Sequence, residues 1–269
     1  MACKKAEIIE ANADNQVAEV VQPETNMEDV NARERLLFGV DSKIESDDVL
    51  QNNITEFEWV RRNKIYPSFW GRNITGDNCL TKEEIDFLHT KACKIAAIYR
   101  TPDAKVTEEQ GKIEAKKVII AAFELGIPEG AAIFLEIAES ENATHDFMRG
   151  FAETLITEGY TPGFKANTDA QYGFDREYSR GMQTDRAIFE KCLIWSVSPS
   201  LKEYERVTTT HLIHPDNWMP YAPSAITRND IAIWQYGKEC HPINDDAGNE
   251  TTFNVNLVKG EQLMIEKMF

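Results

Sequence analysis

At 269 residues, with 42% hydrophobic and 10% aromatic residues, the chain is long enough to bury one large core without disulfides or metals to hold it. The formal net charge of -16 repels phosphate backbones and anionic lipid, which argues against nucleic acid or a membrane surface as partner. The five cysteines, Cys3, Cys79, Cys93, Cys192 and Cys240, are odd in number and form no Cys-x-x-Cys pair, which suits a reducing compartment better than a disulfide framework.

In chain order, residues 1–35 mix Ala, Glu, Asn, Asp and Val without an aromatic. That composition adds little to a core and predicts a flexible acidic arm, with Ile8, Ile9, Val17, Val20 and Val21 as anchors through which it could dock to a protein partner. The start lacks a signal-peptide core, and no stretch approaches the roughly 18 apolar residues that span a bilayer. The expectation is synthesis in the cytoplasm, with any release by lysis or a non-classical route.

Residues 36–269 read as one domain of short apolar runs alternating with amphipathic stretches, the pattern of buried parallel strands covered by helices. Strands are predicted at Leu36 to Asp41, Ile65 to Trp70, Lys94 to Tyr99, Ala132 to Ala138, Thr161 to Ala166, Cys192 to Val197, Thr209 to Ile213 and Ile231 to Tyr236. Thr81-Lys82-Glu83-Glu84 has the form of a capping box opening one helix, Thr107-Glu108-Glu109-Gln110 opens another that Gly126 ends, and a third runs from about Ala143 to Glu158. Eight strands in this order predict an α/β fold, a (β/α)8 barrel of the TIM type.

Working side chains in such a barrel sit at the carboxyl ends of the strands. Asp41 ends the first strand, where a carboxylate can serve as base or electrostatic stabiliser or simply cap the next segment. Glu136 lies within the apolar fourth strand on the face of Phe134 and Ala138, and a barrel-facing glutamate must be paired or functional. Glu139, just beyond, is a solvated loop residue or a reserve acid at the mouth. Tyr99, Trp195, Trp234, Tyr236 and Asn254 are candidate substrate contacts, since flat aromatic walls with a few polar groups suit sugar rings, although large aromatics at strand ends also serve as packing. His211 and His214 would face oppositely on a strand and have no third ligand spaced to join them, so no metal site is expected, and no cofactor motif is present. There is no Gly-x-Ser-x-Gly elbow, no phosphate loop, no dinucleotide turn and no His-Glu-x-x-His.

Gly39-Val40-Asp41-Ser42, Trp70-Gly71-Arg72-Asn73, Leu80-Thr81-Lys82-Glu83-Glu84, Ile98-Tyr99-Arg100, Gly126-Ile127-Pro128, Gly159-Tyr160-Thr161-Pro162-Gly163-Phe164, Leu193-Ile194-Trp195 and Ile233-Trp234-Gln235-Tyr236 follow one another in an order that resembles the glycoside-hydrolase-like barrels related to the family 25 lysozymes, the N-acetylmuramidases of bacteria and phages. The likeness runs from about Phe38 to Leu257. It implies a barrel acting on cell-wall glycan through an aspartate on the first strand, an Asp-x-Glu pair ending the fourth and a late aspartate. Asp41 matches the first; Glu136 takes the place of the pair's aspartate, Ala138 that of its glutamate acid, and Asn254 that of the late aspartate. Two cell-wall readings follow, beside a third in which the same scaffold serves an enzyme acting on an unrelated small molecule, since fold does not fix function. One is a lysozyme-type glycosidase in which Glu136 is general acid and Asp41 base or stabiliser, with Glu139 in reserve. The other is an inactive barrel that binds cell-wall glycan or another polysaccharide, or serves as a structural or delivery component of a phage-like or secreted assembly. What separates them is whether Asp41 and Glu136 face an open cleft or are held by a neighbouring Arg or Lys.

Overall fold

The computed structural model describes residues 36–62, 64–101, 105–207, 218–242 and 251–269. The predicted arm, the predicted strand Thr209 to Ile213, and both His211 and His214 lie outside them.

The parallel strands are β1 (Leu36–Asp41), β2 (Phe69–Asn73), β3 (Lys94–Tyr99), β4 (Ala132–Ile137), β5 (Thr161–Ala166) and β6 (Leu193–Val197), each hydrogen-bonded to the next. A two-residue β7 (Arg206–Val207) pairs only with the far end of β8 (Ile231–Pro242), and β8 lies parallel to β6. The final strand, β9 (Phe253–Lys259), runs antiparallel to both β8 and β1 and closes an eight-stranded barrel. Helices α1 (Glu56–Arg62), α2 (Lys82–Thr90), α3 (Glu108–Leu125), α4 (His145–Thr157), α5 (Gly173–Thr184) and α6 (Arg186–Phe189) lie between strands, and α7 (Glu261–Lys267) follows β9. No helix among the described residues is long and apolar enough to cross a membrane.

The barrel of the TIM type expected from the sequence is present, with two departures. β2 starts at Phe69 rather than Ile65, because Pro67 has no N–H for the ladder; Ile65 instead donates to Val60 at the end of α1. The closing strand is Phe253–Lys259, in reverse direction, where the sequence reading placed no strand.

Strand alternation sorts the side chains into two layers. Leu36, Phe38 and Val40 of β1 join the large apolar cluster between strands and helices. Leu37, Phe69, Ala96, Ile98, Phe134, Trp195 and Val258 form a second cluster inside the barrel, and Met268 joins it after α7. Trp195 meets Phe134 edge-on at 5.3 Å and Phe69 at 6.2 Å, so strands β2, β4 and β6 touch across the interior. Gly71 makes this possible: a Cβ there would lie 2.7 Å from that of Asp41 and 2.9 Å from the Trp195 ring.

The helices start and stop for local reasons. Thr107 and Gln110 form a reciprocal capping box on α3, and Gly126 ends it in the left-handed region. Thr81 caps α2 in one direction only, because the Glu84 carboxylate that would complete the box is bound to Arg72. Helices α3 and α4 cross at two glycines: a Cβ on Gly111 would meet the Phe147 carbonyl at 2.1 Å, and one on Gly150 the Glu108 carbonyl at 2.2 Å. Since backbone cannot swing aside, Gly150→Ala should lose more to overpacking, ~1–3 kcal/mol, than the roughly 1 kcal/mol that alanine adds to a helix. A net fall in urea-unfolding free energy checks this.

Candidate active site at the barrel mouth

Pairing register places Glu136 of β4, Lys165 of β5 and Trp195 of β6 side by side, and Asn254 of β9 directly beside Asp41 of β1. All of these side chains point into the barrel at its carboxyl end. The Lys165 ammonium crosses the interior to the Asp41 carboxylate at 2.7 Å and lies 3.8 Å from that of Glu136. It also stands 4.7 Å above the Trp195 ring, a cation–π contact. Burial works against this charge, but the carboxylates of Asp41 and Glu136 and the hydrogen bond to Asp41 outweigh it and hold the ammonium above the ordinary lysine range.

Asp41 is saturated. Besides Lys165, the Asn254 side-chain amide donates to Oδ2 and that of Asn256 to Oδ1, both at 2.8 Å. Trp195 Nε1 donates to Asn256 Oδ1 at 2.9 Å, and the Glu239 amide donates to Asn254 Oδ1 at 3.0 Å, so both asparagines are held from behind. Glu136 is the more open carboxylate, its side chain 29% exposed. Glu139 accepts from Asn167 at 2.7 Å in the loop beyond β4, and Glu141 bonds both the Ala138 amide and Lys105. Of the predicted carboxylates, Asp41 and Glu136 are therefore brought together through Lys165, whereas Glu139 has a separate partner.

Of the predicted aromatic contacts, Trp195 lies beneath the Asp41–Lys165–Glu136 group and the other three are placed away from it. Tyr99 faces the helices, donates to Glu114 at 2.6 Å and stacks on Phe151. Trp195 is wholly buried inside the barrel. Trp234 and Tyr236 are buried in the outer layer, where Trp234 donates to the Ser198 carbonyl and packs against Trp218. None of the four turns a ring face to solvent, because each belongs to a strand covered on both sides. Asn254 does lie at the site, as a ligand of Asp41.

The exposed aromatics at the mouth come from loops: Tyr172 at 37%, Tyr204 at 59% and Tyr221 at 55%. The Tyr221 carbonyl accepts from the hydroxyls of Thr168 and Ser196, and its amide donates to Ser198, which ties this loop to the ends of β5 and β6. Tyr204 and Glu239 line a cleft of about 550 Å³ with Ser42, Lys43, Gln51, Thr251 and Thr252. The sequence reading passed over Lys165, Asn256 and these tyrosines. For Lys165 the signal was present, a lysine in a strand buried on both faces.

A glycosidase flanks the scissile bond with a protonated acid and a second carboxylate. Here the first-strand carboxylate already accepts three hydrogen bonds, one of them from an ammonium that stands between it and Glu136. Lys165→Met should strand a buried carboxylate and lower stability by ~3–5 kcal/mol. The Asp41→Asn/Lys165→Met pair should regain much of that, as an urea double-mutant cycle would measure. Because the folded lysine titrates above its unfolded value of about 10.4, its contribution is complete below that value and lost only as pH rises through the folded one; the Lys165→Met loss should be the same at about pH 6 and about pH 9.

The structure is similar to the crystal structure of an uncharacterized B. stearothermophilus protein, with 24% identity, 87% of this chain and 100% of that chain covered, and a TM-score of 0.69. It is also similar to the catalytic domain of endolysin ply40 from bacteriophage P40 of Listeria monocytogenes, at 13% identity, 86% and 96% coverage and a TM-score of 0.51. A family GH25 lysozyme from Aspergillus fumigatus aligns at 13% identity over 86% of this chain and 97% of that one, with a TM-score of 0.46. No curated protein sequence matches the chain. The model of the "Rv2525c-like, glycoside hydrolase-like domain" matches residues 65–253, taking in β2 to β8 and reaching the first residue of β9. The chain therefore belongs to the Rv2525c-like family of glycoside hydrolase-like domains.

Proposed function

We propose that this chain recognises a cell-wall glycan at the barrel mouth and does not hydrolyse it. The observation that carries this reading is the Lys165 ammonium lodged between Asp41 at 2.7 Å and Glu136 at 3.8 Å. An acid that is to protonate a glycosidic oxygen needs a proton of its own and an opposing carboxylate free to act as base or nucleophile. A lysine that neutralises one carboxylate and leans on the other works against both requirements. Ala138, where the lysozymes carry their acid, removes the proton donor that the family 25 arrangement uses.

Recognition needs less than catalysis. Tyr172, Tyr204 and Tyr221 are exposed around the mouth and offer ring faces to the C–H faces of sugars. Glu136, Glu139 with Asn167, and the Lys43–Glu239 pair supply hydrogen-bonding groups around the same opening. The glycoside-hydrolase-like fold supports a polysaccharide as the ligand, and peptidoglycan is the polymer to try first.

Purified peptidoglycan incubated with wild type and Glu136→Gln should release no reducing sugar from either, while both sediment with it. Release by wild type that Glu136→Gln abolishes would restore the glycosidase reading with Glu136 as acid, and release that survives Glu136→Gln but not Glu139→Gln would move the acid to Glu139. Tyr221→Ala should weaken sedimentation roughly fivefold, the equivalent of about 1 kcal/mol of aromatic contact; unchanged binding would remove that ring from the recognition surface.

A further inference from the structure

Beside the mouth, the loop from β1 to α1 folds back against α2 and gathers acid side chains at Glu84. Arg72, wholly buried, sets its Nε 2.8 and 3.0 Å from the two oxygens of Glu84 and donates its remaining nitrogens to the carbonyls of Ser42 and Asn78. Glu45 and Asp47 come to the same carboxylate: one oxygen from each of Glu45, Asp47 and Glu84 lies within 4.8 Å of the others. Glu56, also wholly buried, takes a hydrogen bond from Ser42, the residue whose carbonyl Arg72 holds. The guanidinium thus binds Glu84 directly and favours the charged form of Glu56 from a distance.

The hydrogen bonds do not close. Ser46 lies inside this group, flanked in sequence by Glu45 and Asp47, its amide donating to Glu84 at 2.8 Å and its carbonyl accepting from Phe57 at 2.9 Å. It is wholly buried, and its hydroxyl has no partner among the described residues. Asp47 Oδ1 and Glu56 Oε2 are likewise shut off from solvent and without a donor. Buried carboxylate oxygens with no donor are costly, and a cation satisfies several at once.

We propose that Glu45, Asp47 and Glu84, with the Ser46 hydroxyl, form a calcium-class divalent cation site bracing the first loop of the mouth. All the ligands are oxygens, the set that hard cations take. Calcium accepts irregular sets of protein oxygens, whereas magnesium demands near-octahedral geometry and gives up its water reluctantly, so a partly buried set of this kind favours calcium. The Glu84 carboxylate keeps lone pairs beyond its bonds to Arg72 and the Ser46 amide, and the half-buried Glu45 and Asp47 leave an approach from solvent. The site stands independently of whether the mouth binds glycan.

The test uses the full chain freed of metal with EDTA and titrated calorimetrically with CaCl2 or MgCl2, alongside thermal unfolding. Wild type should bind one calcium ion here, melt at higher temperature with it and bind magnesium at least tenfold more weakly. Asp47→Asn and Glu45→Gln, both at half-exposed positions, should each weaken calcium at least tenfold with an unchanged circular dichroism spectrum. Absence of a calcium-dependent heat and melting shift in wild type would overturn the proposal, as would calcium binding of wild-type strength in both variants, which would mark diffuse association with an acidic surface.

Discussion

A lysine ammonium inside a barrel is tolerable only if its surroundings replace the water it has lost. Removing such an ion from solvent costs several kcal/mol even after relaxation, and Lys165 recovers this through Asp41, Glu136 and the face of Trp195. Asp41 depends in turn on Asn254 and Asn256, and Asn256 on Trp195. These groups come from β1, β4, β5, β6 and β9, so this one pair gives five strands a common reason to sit in register. Gly71 leaves the space that brings Asp41 and Trp195 close together.

The last strand brings its first residues to the same pair. A strand entering from the mouth reaches the depth of Asp41 with its first residues, and β9 does so with Asn254 and Asn256, side chains two apart on one face. Both carry an amide that donates and a carbonyl that accepts, so each satisfies Asp41 on one side and a donor, Trp195 or the Glu239 amide, on the other. An aspartate at position 254 would bring a second negative charge against Asp41 and offer no donor. The asparagines and the lysine therefore belong together, as parts of a mouth whose first-strand carboxylate is held neutralised.

With the centre occupied in this way, the open polar and aromatic groups of the mouth are peripheral. Glu136 and Glu139 stand on the β4 side, and tyrosines rise from the loops after β5 and β6. The loops are anchored by polar contacts to strand ends, as Tyr221 is by Thr168, Ser196 and Ser198, which gives exposed rings a defined position on a rigid frame.

Local pattern by itself determined most of the barrel. β1 and β3 lie where apolar runs bounded by turn signals put them, because a strand buried on both faces leaves a nearly uninterrupted apolar mark. The α3 capping box and Gly126 were equally readable, as they act within one turn of helix. Asp41 and Glu136 could be singled out because polar residues in such runs must be explained. What only the tertiary structure decided is what lies opposite them. Lys165 is 124 residues from Asp41, and Asn254 is 213. Alternation along β9 is weak evidence for a strand, and none for its reverse direction. Trp234 and Tyr236 looked like mouth residues from their strand ends, but burial on both faces of a closed barrel turned them into packing, while Trp195 lies beneath the mouth and holds Lys165 and Asn256. The sequence carries each residue's chemistry; which charges neutralise one another depends on the closure of the barrel, a long-range event that no local pattern records.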